Sequence, residues 1–164
     1  MNKRNIILIG MPGAGKSSVG VILAKVLGYE FIDTDLVIQH REKRLLREII
    51  ADEGNEGFLA IENEVNATLE ADKSVIAPGG SAIYGKEAME HFKEIGTIVY
   101  LKLSYEDLAK RLGNLKGRGV VLKEGQTLKD LYDERSKLYE QYAEITVDES
   151  GRDIQGTILA LREQ

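Results

Sequence analysis

The chain has 164 residues, with 22 Lys or Arg against 27 Asp or Glu and a net charge of −5. This length predicts one domain, and the mildly acidic balance argues against nucleic-acid binding. The absence of cysteine excludes disulfide scaffolds and thiolate chemistry; no apolar run is long enough for a membrane span, so the expectation is a cytoplasmic monomer.

Ile6-Ile7-Leu8-Ile9 is a short apolar run of the kind found in strands buried on both faces. It leads into Gly10-Met11-Pro12-Gly13-Ala14-Gly15-Lys16-Ser17, which fits G-x-x-x-x-G-K-[ST] at every fixed position. Such a loop curls so that its N–H groups point at phosphate oxygens, and the helix that follows adds its positive end. Gly10, Gly13, Ala14 and Gly15, with Ser17 and Ser18, are therefore the nucleotide-binding candidates. Lys16 is expected to reach the β- and γ-phosphates, and the Ser17 hydroxyl to bind Mg²⁺. MgATP is the implied cofactor.

Val19, Ile22, Leu23, Val26 and Leu27 form a helical stripe that Gly28 stops. A second strand, Tyr29-Glu30-Phe31-Ile32, ends in Asp33-Thr34-Asp35. Two carboxylates two residues apart on an extended chain face the same side. One could support Mg²⁺, and the other could take the proton of a hydroxyl attacking the γ-phosphoryl group. An ordinary helix cap is the plain alternative.

Phe58, Ile61, Val65 and Leu69 mark another helix; Leu59 falls one position off its stripe, and Glu62 reads as a helix-surface acid. Val75-Ile76-Ala77 is a strand, followed by Pro78-Gly79-Gly80, either a plain tight turn or a loop lining a substrate. Thr97 to Leu101 is a further strand, and Ser104 caps the next helix.

Lys110, Arg111, Lys116, Arg118 and Lys123 then occur without an acidic residue among several glycines. A basic segment of this kind suits a lid closing over a triphosphate, or a solvated loop. In the helix Leu128 to Tyr142, Arg135 falls in the middle of the apolar stripe, where an arginine needs a partner or a wet cleft. Ile145-Thr146-Val147 is the last strand. The strand–helix alternation predicts an α/β three-layer fold, a parallel sheet with helices on both faces.

Taken in order, these motifs resemble the shikimate kinases, P-loop kinases of the nucleoside-monophosphate-kinase type. Glu48 to Phe58 and Glu62 is similar to that family's substrate-binding helical region. Pro78-Gly79-Gly80-Ser81 stands where it has a triple glycine, Arg118-Gly119-Val120-Val121 where it has a lid arginine, and Arg135-Ser136-Lys137-Leu138-Tyr139 where it has its late arginine. The resemblance implies a single domain over 1–164, with a lid about 112–124 and an acceptor-binding region about 34–62. It implies phosphorylation of a hydroxyl of a small metabolite, shikimate first among acceptors, by MgATP.

By the same resemblance Asp35 binds the acceptor hydroxyls and is the base, and Asp33 supports magnesium. Gly79 and Gly80 line the acceptor pocket, Arg118 closes over the phosphates beside Arg111, and Arg135 binds the acceptor carboxylate. Lys16 and Arg118 act with Asp35 in catalysis. Leu59 stands where the family carries an arginine, which implies an apolar wall there. A related kinase with another hydroxylated acceptor, or a nucleotide-binding module with little phosphotransfer, are the alternative readings.

Overall fold

The computed structural model describes residues 4–112 and 125–162. Five strands, β1 (Asn5–Ile9), β2 (Glu30–Asp33), β3 (Ser74–Ala77), β4 (Gly96–Lys102) and β5 (Ile145–Asp148), form one sheet in the order β2-β3-β1-β4-β5. Every pairing is parallel, with Ile6 opposite Val75 on one side and Thr97 on the other. The carboxyl ends of all five strands therefore face one edge of the sheet, where ligands bind in open α/β folds.

The period-two alternation of β1 divides the core between the two faces. Ile7 and Ile9 join Ile76, Ile98 and Tyr100 under α4 (Lys86–Ile95) and α6 (Leu128–Tyr142). Leu8 joins Val75, Val99 and Val147 under α1 (Lys16–Leu27) and α7 (Ile154–Arg162). The expected three-layer arrangement is thus present.

The buried face of α1 differs from the expected stripe. Val19, Gly20, Leu23 and Ala24 are buried, whereas Ile22 is 40% and Val26 48% exposed. The phosphate loop fixes the helix phase by turning Lys16 inward. That rotation brings Gly20 against the Phe31 ring, where an added Cβ would lie 2.5 Å from Cε1.

A third apolar cluster, Ile38, Ile49, Phe58 and Val65, packs α2 (Thr34–Glu42) against α3 (Leu46–Ala67). The chain bends inside α3 at Gly54, whose φ of 73° lies outside the helical region. Leu46 precedes that bend and Phe58 follows it, so the two ends of one segment face the same cleft. At the opposite edge of the sheet, the buried Asn5 side chain donates to Ala71 O and Ile95 O and accepts from Ser74 N. It thereby ties the starts of β1 and β3 to the end of α4. The short α5 (Tyr105–Arg111) is capped by Ser104 Oγ, as expected. Among the described residues, no helix is long and apolar enough to cross a membrane.

Candidate active site

Between β1 and α1 the loop curls as its sequence requires. Gly13 and Gly15 take φ of 92° and 81°, a left-handed region costly for other residues. Gly15 caps α1 without a side-chain hydrogen bond, so no side chain covers the first-turn N–H groups. Lys16 Nζ donates to Gly10 O at 2.8 Å and Met11 O at 2.9 Å. Burial brings this ammonium down to about 8; Asp35 opposes the shift and Arg135 adds to it.

Asp33 ends β2 and caps α2, its Oδ1 accepting from Asp35 N at 2.9 Å. The cap is thus Asp33, which leaves the Asp35 carboxylate to face the cleft. Burial, with the Asp33 charge, pushes the Asp35 carboxyl up to about 6, while Lys16 pulls the other way.

Beyond β3, Gly79 and Gly80 make close approaches possible. A Cβ on Gly79 would lie 2.8 Å from Asp35 Oδ1 and 3.1 Å from Glu62 Oε2; one on Gly80 would lie 2.8 Å from Arg135 Nη1. The Tyr139 hydroxyl donates to Gly80 O at 2.7 Å and fixes this turn to α6. Arg135 itself is only 1% exposed, as its place in the apolar stripe predicts.

These groups surround one cavity of about 690 Å³. Its walls bring together Pro12, Gly13 and Gly15 to Ser18 of the loop, Asp33, Asp35, Pro78 to Ser81, Arg111 and Arg135, while Ala14 faces a neighbouring cavity. Leu46 and Phe58 supply the apolar wall. Leu59 is not among the lining residues; it packs against the α2–α3 cluster instead. Arg118 and the lid segment beyond Leu112 lie outside the described residues.

Glu62, expected on the helix surface, is buried behind the Gly79 turn. It accepts from Ser81 Oγ at 2.6 Å, and burial pushes its carboxyl up to about 8 against that hydrogen bond. Its position on the Phe58–Val65 face, four residues from Phe58, carried the signal. A second cavity, of about 630 Å³, lies between the start of α1 and the start of α7 and shares Gly15, Ser18 and Arg111 with the first. Arg111 bridges them and donates to Gly13 O at 3.2 Å. Glu149 and Arg152 also line it; burial pushes the Glu149 carboxyl up to about 7, opposed by Arg111 and Lys16. Neither residue stands out in the sequence.

The donor set fits a magnesium ion. Among the described residues no cluster of three or more His, Cys, Asp or Glu could cage a metal. Mg²⁺ in phosphotransferases instead takes one or two protein oxygens, the rest coming from phosphate and water. The Ser17 hydroxyl and the Asp33 carboxylate, both on the cavity wall, are such a pair.

The family model for shikimate kinase matches residues 12–163. The chain belongs to the shikimate kinase family. Similar proteins include shikimate kinase 2 of Yersinia enterocolitica, 34% identical over 154 residues that cover 88% of this chain and 86% of that one. A structure of shikimate kinase from Acinetobacter baumannii in complex with shikimate superposes with a TM-score of 0.87. It is 32% identical, and the match covers 99% of this chain and 92% of that one. Shikimate kinase from Aquifex aeolicus gives 0.77 at 28% identity, covering 97% and 94%. As a shikimate kinase family member, the protein is a phosphotransferase with an alcohol group as acceptor, in a family that uses ATP.

Proposed function

We propose that the protein transfers the γ-phosphoryl group of MgATP to a hydroxyl of shikimate. The observation that carries this reading is the common cavity. It gathers a carboxylate, Asp35, beside Gly79 and a buried guanidinium, Arg135, beside Gly80, in the same cavity as the phosphate loop.

In this reading the cavity holds the acceptor between Asp35 and Arg135. Arg135 takes the carboxylate, with the charge and fork geometry suited to it. Asp35 holds the attacking hydroxyl and accepts its proton. Leu46 and Phe58 support the apolar part of the ring. On the donor side, the N–H groups from Gly13 to Ser18 cradle the phosphates. Lys16 exchanges its carbonyl partners for phosphate oxygens, and its charge stabilises the transferring group. The second cavity takes the nucleoside, with Arg111 at the bridge. Ser17 and Asp33 hold Mg²⁺, which when bound neutralises phosphate charge. Arg118 is assigned to phosphate closure from its motif alone. The whole chain acts as one domain.

A coupled ADP-release assay with shikimate and a panel of small hydroxy acids and polyols tests the reading, with product mass measured. Shikimate-dependent ADP release and a product heavier by one phosphoryl group are expected. A better acceptor in the panel, with shikimate inert, would overturn the named substrate; ADP release with no acceptor at all would overturn the kinase.

A further inference from the structure

Arg135 comes from α6, where Tyr139 is a hydrogen-bonding neighbour, and a further support for its guanidinium comes from outside that helix. The turn after β3 runs into a short 3₁₀ segment, Ala82–Tyr84. The Tyr84 ring lies under the guanidinium, with Cζ 5.5 Å from the ring centroid. The Tyr84 hydroxyl donates to a carboxylate oxygen of Glu134, the residue preceding Arg135 on α6. Burial and the Glu134 hydrogen bond raise the Tyr84 pKa, opposed by a hydrogen bond and the charge of Arg135, so the hydroxyl keeps its proton towards Glu134 while also meeting the guanidinium. The ring is thus clamped to the same helix turn that carries the arginine.

We propose that Tyr84 is a positioning residue of the acceptor site, its ring supporting the Arg135 guanidinium and its hydroxyl latched to Glu134. The proposal rests on the reading of Arg135 as the holder of the acceptor carboxylate. An aromatic face attracts a cation through its quadrupole and leaves the positive charge intact. A carboxylate in the same place would neutralise the guanidinium and compete with an anionic acceptor. With Leu59 turned into the α2–α3 cluster, Arg135 gets no help from that position in holding the anion. Its orientation then matters more, because a loosely held fork loses bidentate geometry.

Steady-state kinetics on the parent, Tyr84→Phe and Tyr84→Leu provide the test. Tyr84→Leu removes the aromatic face and should raise the KM for shikimate by about tenfold. Its kcat and its KM for ATP should stay within about twofold of the parent. Tyr84→Phe keeps the face and should raise the shikimate KM by no more than about threefold. Tyr84→Met replaces Tyr84→Leu if the latter does not fold. An unchanged shikimate KM without the aromatic ring overturns the proposal. So does a matched loss of kcat, both KM values and Tm, the pattern of a merely structural side chain. Equal rises in the Phe and Leu variants would assign the effect to the hydroxyl and overturn the role of the ring. A parent enzyme inert towards shikimate overturns the functional reading, and the Tyr84 role with it; an active parent isolates Tyr84 as the failing step.

Discussion

As the proposed base, Asp35 faces two opposed demands. A base must be ionised, yet burial resists its charge and pushes its carboxyl up to about 6. Activity should therefore rise with pH through about 6 and level off above it, as a pH series of kcat/KM will record. Stability runs the other way. A carboxyl with a raised folded pKa costs stability once it ionises, so the cost is largest above about 6 and fades as pH falls towards 4. Asp35→Asn should lose turnover by about 10²-fold or more while gaining Tm at pH 8, the gain shrinking towards pH 4. A variant with parental turnover would reduce Asp35 to a bystander. Lys16→Ala should abolish phosphotransfer, and rates within about threefold of the parent would refute its role.

At the scale of elements, the buried Asn5 side chain holds three backbone groups at the amino-terminal strand ends. Asn5→Ala leaves all three without that partner and should cost about 2–4 kcal/mol. A chain of this size should then melt roughly 5–12 °C lower, while KM values for both substrates stay put, since the site lies at the other strand ends. Calorimetry paired with kinetics separates the two effects. The sequence made some elements legible and hid others for physical reasons. Gly10 to Ser17 is readable because phosphate chemistry fixes its spacing, and Arg135 because a charge breaks an apolar stripe. The face of α1 was not, because Lys16 sets the helix phase and leaves Ile22 and Val26 exposed. Leu46, Tyr84 and Glu149 owe their places to neighbours distant along the chain, and no local spacing encodes those. The packing of Leu59 away from the cavity escaped for the same reason.

On the scale of the whole molecule, two cavities meet at Gly15, Ser18 and Arg111. A nucleotide spanning them should stabilise the folded state by RT ln(1 + [L]/Kd), about 2.7 kcal/mol at a hundredfold excess over Kd. A thermal shift of roughly 5–10 °C with MgADP is expected. Chelating the magnesium, or Ser17→Ala, should shrink that shift; a shift indifferent to both would remove Ser17 and Asp33 as metal ligands.

The strand order also dictates when folding can begin. β1 sits at the centre of the sheet, but its neighbour on one side starts at Ser74 and on the other at Gly96. The ribosome delivers the central strand first and its two partners third and fourth. At roughly 5–20 residues per second, the apolar run Ile6–Ile9 waits on the order of 5–20 s for β4. Through that interval its unpaired backbone is open to other chains. The yield of this kinase in a cell therefore depends on the nascent chain being shielded, not only on the stability of the finished sheet.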